Sequence, residues 1–319
     1  MRSLRLAKLL ALTATCAQAQ MSVQEYPLPP RITAHDLWAD PAPGGPVWFS
    51  GQSSGNAGRL DPKTGKVELI PLGRGSSPHG VILDTDHSAW FTDSGQNAIV
   101  RVDAKTLAVK VWPLPRDTSY ANLNTAIFDA AGIHWFTGQS GIYGRLDPKS
   151  GDLKVFDAPK GRGPYGIHST PDGTVYFASL AGSYVGRIDA ATGKAQVIEP
   201  PTRDQGARRV WSDSKGMVWV AEWNSGNLSR YDPKANAWKT WKAPGSGPRV
   251  YAVYVDETDR PWISEWDKQV MMRFDPATEK FESFGSTSGT ADVRQIHGRK
   301  GEVWTPESAA GKLVVYRYR

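Results

Sequence analysis

Short apolar runs separated by turn-forming residues fill this chain, and in many of them every second residue is polar. Val109-Lys110-Val111-Trp112, Leu153-Lys154-Val155-Phe156, Trp238-Lys239-Thr240-Trp241 and Phe281-Glu282-Ser283-Phe284 read as strands with one buried face. Beyond residue 20 no apolar stripe of helical period appears. An indole or phenol returns as Trp48, Trp90, Trp135, Tyr176, Trp219, Trp262 and Trp304, at intervals of 42, 45, 41, 43, 43 and 42 residues. A fixed period in the forties marks a repeat architecture whose units bury their apolar faces only against their neighbours.

A second marker fixes the register. Arg59-Leu60-Asp61, Arg101-Val102-Asp103, Arg145-Leu146-Asp147, Arg187-Ile188-Asp189, Arg230-Tyr231-Asp232 and Arg273-Phe274-Asp275 follow the aromatic, the arginine 11 residues on in five units and 10 in the third. Turn chemistry comes next, as in Asp61-Pro62-Lys63-Thr64-Gly65, where aspartate opens, proline presets φ and glycine accepts a positive φ. Four strands per unit and seven units predict an all-β fold, a seven-bladed β-propeller. The chain ends at Val314-Val315-Tyr316-Arg317-Tyr318-Arg319, one strand short, while Glu25-Tyr26-Pro27-Leu28-Pro29 resembles the unit-closing Val111-Trp112-Pro113-Leu114-Pro115. The N-terminal strand is therefore expected to complete the last blade and remove the open edge, giving one domain over residues 20–319.

Residues 1–19 read differently. Arg2, Arg5 and Lys8 precede the apolar run from Leu9 to Ala14, and Ala17-Gln18-Ala19 supplies small residues before Gln20, the pattern of a secretory signal peptide. The alternative is that Met21 is the true start. With a leader, the protein is periplasmic or secreted, and Cys16, the sole cysteine, leaves with it. The formal charge of +6 then falls to +3, and the arginines, set beside aspartates once per unit, predict a surface ion-pair lattice rather than a nucleic-acid track. No segment beyond the leader approaches the roughly 20 apolar residues of a membrane span. A monomer is expected.

Candidate chemistry lies where the blades converge. The residue 11 before the aromatic opens the innermost strand, and the residue three after it ends the next. With small adjustments in the first and last units, the pairs are His35 with Gly51, His79 with Asp93, Asn124 with Gly138, Tyr165 with Ser179, Arg208 with Glu222, Tyr251 with Glu265 and Arg294 with Glu307. All are expected around one mouth of the central channel, as a pocket with convergent charged groups. The alternative is a wet channel wall whose charges satisfy one another. His79 is the candidate base, oriented by Asp93. His35, Asn124, Tyr165, Arg208, Tyr251 and Arg294 are candidate ligand contacts. Acids from several blades suit a hard cation such as magnesium or calcium; the assigned ligands are Glu222, Glu265, Glu307 and Asp292, unless Arg208 and Arg294 neutralise their neighbours. His87 falls in a turn, His134 points away from the mouth, and His168 and His297 are expected in the core. No organic cofactor is indicated.

Pro78-His79-Gly80-Val81, Trp90-Phe91-Thr92-Asp93, Gly163-Pro164-Tyr165-Gly166-Ile167 and Pro171-Asp172-Gly173-Thr174-Val175-Tyr176-Phe177 resemble the repeat of the streptogramin B lyase (virginiamycin B lyase) family, across all seven units. The resemblance implies a seven-bladed propeller that opens a cyclic depsipeptide by elimination across its ester, with magnesium and without water. Its chemistry needs a base for an α-proton and a cation for the developing negative charge. The family's functional positions fall on His35 where it has tyrosine, on Tyr251 where it has histidine, and on Asp292 and Arg294 where it has glutamate and the catalytic histidine. Arginine cannot act as a base at neutral pH, so streptogramin is not the expected substrate. Two functions remain: an envelope lyase acting on an ester, lactone or related C–O bond of a small molecule, and a non-catalytic propeller that binds a peptide, sugar acid or protein at the mouth.

Overall fold

The computed structural model describes residues 21–285 and 288–318; the expected leader and Cys16 lie outside them. Seven antiparallel four-stranded sheets form the ring, and the helical content among the described residues is a single 3-10 turn, Ser308–Ala310. Blades 1 to 7 open with the inner strands Leu37–Ala39, Pro78–Leu83, Leu123–Phe128, Pro164–Ser169, Ala207–Ser212, Val250–Val255 and His297–Arg299. In the last blade Ser22–Pro27 supplies the outer strand, antiparallel to Lys312–Arg317 from Ser22 opposite Arg317 to Pro27 opposite Lys312. Tyr26 on that strand stacks 5.4 Å from Trp304. The expected ring closure is observed.

The repeating aromatic is the core of each blade, fully or almost fully buried in all seven. Burying an indole requires a partner for its N–H, and the turn aspartate six residues upstream provides one: Asp84 accepts from Trp90, Asp129 from Trp135, Asp213 from Trp219 and Asp256 from Trp262, at 2.7 to 3.0 Å. The arginine of the second marker sits directly across the strand pair from the aromatic, as Arg59 from Trp48 and Arg230 from Trp219, with its guanidinium 5.5 Å from the indole centroid in both. The expected arginine–aspartate lattice is therefore corrected. Among the described residues only Arg101 pairs with its own aspartate, Asp103, while Arg59 and Arg273 pair with Glu68 and Glu282 across the strand. Elsewhere that aspartate accepts from turn groups, as Asp61 does from the Lys63 N–H and the Thr64 hydroxyl.

The inner strands define three layers along the channel. The residues expected at the mouth form one end. Behind them Asp36 of blade 1 and Arg209 of blade 5 form an ion pair in which Arg209 Nη2 reaches both carboxylate oxygens, at 2.9 and 3.0 Å, with both side chains almost wholly buried. The far end is an aromatic floor in which His297 stacks on Trp38 at 3.8 Å and His168 on Trp211 at 3.9 Å. No helix among the described residues is long and apolar enough to cross a membrane.

Candidate functional site

A β-bulge aims the mouth residues. In blades 2 to 6 the inner strand slips register at its first residues: Pro78, not His79, opposes Asp93, then Gly80 opposes Thr92. The same shift follows Leu123, Pro164, Ala207 and Val250. A bulge places an extra, unpaired residue on one strand and turns its side chain out of the sheet. His79, Asn124, Tyr165, Arg208 and Tyr251 thus enter the channel, and the hairpin partners expected for them are corrected by one residue. Hydroxyls of the preceding blade hold these bulges: Ser50 donates to the His79 carbonyl, Thr92 to that of Asn124 and Thr137 to that of Tyr165.

The first member of every expected pair reaches the mouth or its wall. The His35 and His79 rings lie 4.1 Å apart, and Asn124 Nδ2 is 3.1 Å from His79 Nε2. Tyr165 and Tyr251 share a hydroxyl contact of 2.7 Å. Arg208 donates to the Tyr165 hydroxyl at 3.0 Å and stands 3.5 Å from the Tyr251 ring centroid and 4.3 Å from that of Trp223. Trp266 stacks on Tyr251 at 4.9 Å, with Arg294 5.1 Å from its centroid. Arg294 also pairs with Asp292 at 3.3 Å.

The expected carboxylates behave otherwise. Asp93 accepts from the Ser76 hydroxyl, the Ser77 N–H and the N–H and amide of Gln96. Glu222 accepts from Ser225, Asn227 and Ser229. Glu265 accepts the backbone N–H groups of Arg249, Asp267 and Lys268, and Glu307 takes Ser288 and Lys312. Each is buried and ties down its own turn or the loop that enters its blade. Asp93 therefore does not orient His79 by hydrogen bonding, and Glu222 and Glu307 form no ion pair with Arg208 and Arg294. A hard cation requires several open oxygen ligands. With three of the four assigned carboxylates spent inside their blades and Asp292 paired to Arg294, this donor set does not fit magnesium or calcium.

A different acid serves the mouth. Asp36 Oδ1 lies 3.0 Å from His35 Nδ1, while Arg209 grips both its oxygens. Although burial opposes ionisation, the Arg209 guanidinium and the His35 contact hold the Asp36 carboxyl well below the ordinary carboxylate range. Burial lowers the pKa of His35 and outweighs Asp36, with Arg209 and Arg294 acting in the same direction as burial. His35 is thus neutral at neutral pH. Its proton lies on Nδ1, toward an ionised carboxylate, and its lone pair on Nε2. His79 is pushed further down, by burial and then by His35, and its Nδ1 is buried without a partner. His35, Asp36 and His79 place three ligand-type atoms within 4.8 Å of one another, yet both Asp36 oxygens are committed to Arg209, so the cluster is an oriented imidazole rather than a metal cradle.

Asp36, Arg209, Trp223 and Trp266 escaped the sequence reading. The two tryptophans carried a signal: one residue past the strand end the other units have Gln52, Ser94, Gln139, Leu180 and Ser308, and only these two blades place an indole there. The remaining histidines lie as expected. His87 sits in a turn, bonded to Asp40 at 2.7 Å, and His134 is buried away from the mouth. A cavity of about 1010 Å³ opens at the opposite end against Trp38, Trp112, Phe128 and His297. Of its acids, Asp84 and Asp129 accept from indoles and Asp86 pairs with Arg101, while Lys110 and Lys149 also line it.

The profile of the virginiamycin B lyase family matches residues 11–239. No curated protein matches the chain. Among solved structures, a streptogramin B lyase is similar at 20% identity and a TM-score of 0.85, covering 94% of this chain and 98% of that one. Virginiamycin B lyase from Staphylococcus aureus, selenomethionine-substituted, is similar at 18% identity and a TM-score of 0.84, covering 93% and 99%. A catalytically inactive variant of the S. aureus enzyme with quinupristin gives 19%, 0.85, 93% and 99%. At such identities these structures establish a shared fold, and the profile, spanning well over half of the sequence, establishes more: the chain belongs to the virginiamycin B lyase family.

Proposed function

We propose that this propeller is an envelope C–O lyase that removes a proton α to a carboxyl or ester carbonyl and expels the β-oxygen, its guanidinium groups taking the place of a divalent cation. The observation that carries this reading is the Asp36–His35 pair at the mouth, an imidazole oriented at 3.0 Å by an anchored carboxylate and kept neutral by its burial. His35 Nε2 takes the α-proton, the C–H electron pair becomes the new double bond, and the β C–O bond breaks without water. Protonated His35 is then stabilised by ionised Asp36. From an ester the leaving group is a carboxylate, and Arg208 and Arg294 are suited to receive it as charge-assisted hydrogen-bond donors. His79, more deeply buried, shapes the site rather than acting as base. The leader pattern over residues 1–19 supports an envelope location, and with His35, Tyr251 and Arg294 at the family's functional positions the substrate is not a streptogramin.

A second reading, capture of an acidic ligand without chemistry, is favoured by Arg208, which has no carboxylate within 4 Å among the described residues. Incubating the purified chain with streptogramin B and a panel of esters, lactones and sugar acids, in the presence of a chelator, separates the two by mass spectrometry. An unsaturated product that persists with chelator and falls about 10²–10⁴-fold in His35→Gln supports the lyase. Tight binding of an acidic ligand with no product from any panel member leaves capture.

A further inference from the structure

The loops that join one blade to the next all emerge on the mouth face, because each leads into an inner strand whose first residues line the mouth. Six of the seven carry an exposed arginine: Arg31, Arg74, Arg116, Arg162, Arg203 and Arg249. Acids share these loops. Arg203 lies near Asp204, Arg249 near Asp267, and Lys160 pairs with Glu199. Arg31, Arg74, Arg116 and Arg162 have no carboxylate within 4 Å among the described residues. Although Asp117 is exposed next to Arg116, positive charge continues from this rim inward through Arg208, and such a field concentrates and steers an anion. Beside Arg208 the half-buried Trp223 and Trp266 flank Tyr251.

We infer that the mouth takes an oligosaccharide of uronic acids, its carboxylates spread over the arginine rim and one unit held at Arg208 against Trp223 and Trp266. This rests on the elimination proposed above and names its substrate class. The charge pattern calls for an extended polyanion, and the chemistry selects which one. In each uronate unit the hydrogen on C5 is α to the carboxylate and the oxygen on C4 is β to it. Phosphodiester polymers have no such carbon acid, and aspartate and glutamate, which give a peptide its acidity, have no β-oxygen to expel. A guanidinium on the carboxylate acidifies the C5 hydrogen, which His35 removes. The C5–H electron pair forms the C4–C5 double bond, the C4–O bond breaks, and the departing oxygen gains a proton from the Tyr165 or Tyr251 hydroxyl or from solvent. The products are an unsaturated uronate and a shortened sugar with a free hydroxyl, with no water consumed.

The test titrates the full chain with tetragalacturonate, its methyl ester, a neutral tetrasaccharide and single-stranded DNA by calorimetry, while absorbance follows the conjugated double bond. The expected result is binding of the free acid alone, weakened roughly threefold to tenfold and made less salt-dependent by Arg74→Ala with Arg116→Ala, and weakened about tenfold or more by Arg208→Ala. Wild-type chain should give unsaturated product that His35→Gln abolishes while binding persists. Equal binding of the neutral sugar or methyl ester, preference for DNA, or no binding would overturn the inference. Product from an ester without affinity for uronate overturns the ligand class alone, whereas uronate binding without product overturns the elimination and leaves the ligand class standing.

Discussion

His134 sits between Trp90 and Phe128, its ring centroid 5.4 and 5.2 Å from theirs, with neither nitrogen hydrogen-bonded. Burial pulls its pKa down to about 3, and that of His168 likewise. The unfolded chain takes up these protons near pH 6.5, whereas the folded chain excludes them until about pH 3. Their contribution to stability is therefore full above pH 6.5 and lost as pH falls from there toward 3. Thermal unfolding followed from pH 8 to 4 should show a falling midpoint below pH 6.5, and His134→Phe, which has nothing to protonate, should flatten that fall. An unchanged slope would refute the assignment. The same scale shows where the sequence misled about the site. Hairpin register pairs His79 with Asp93, whereas the partnership in the structure, His35 with Asp36, joins sequence neighbours. Neighbours on a regular strand face opposite ways, so pattern reading discards such a pair; the irregular entry to the inner strand brings both to the channel. Arg208 and Arg209 are neighbours of the same kind, the first at the mouth and the second on Asp36 behind it.

Elements hold the mouth in place through close backbone approach. A methyl added at Gly80 would lie 2.5 Å from the Asn124 carbonyl oxygen, and one at Gly166 would lie 2.7 Å from the Arg209 Cα. Inner strands of adjacent blades touch there with no space for a side chain, and hydroxyls such as that of Thr92 stitch the gap. Gly80→Ala should part blades 2 and 3 and cost about 1–3 kcal/mol, read as a lower midpoint in urea at unchanged slope. Equal stability would mean that the blades yield freely at this point. Strand number and order were legible from period-two runs and turn residues. The bulges were not, since they depend on how seven inner strands crowd around one axis, a constraint that no single repeat displays.

The whole ring depends on its two ends meeting. Residues 21–27 supply the outer strand of blade 7 and cover Trp304 with Tyr26. Deleting them should remove about 3–5 kcal/mol and lower the melting temperature by roughly 10 °C or more, or leave the chain insoluble through its bare edge; a truncated chain that melts like the full one would show the closure to be dispensable. This architecture was readable because the missing last strand and the spare first one share a sequence pattern, whereas the roles of its charges were not. Arginine and aspartate recur in step, but the structure sets the first over an indole, paired in blades 1 and 6 with a cross-strand glutamate, and gives the second to a turn, and periodicity alone cannot separate two partners that repeat together. The closing pair also determines how the ring answers force. Ser22 lies opposite Arg317, so tension applied through the two ends of the propeller enters at one end of the same strand pair. Its bonds are then taken one after another, as in a zipper, instead of sharing the strain, and a ring that resists heat as a unit opens mechanically by peeling at blade 7.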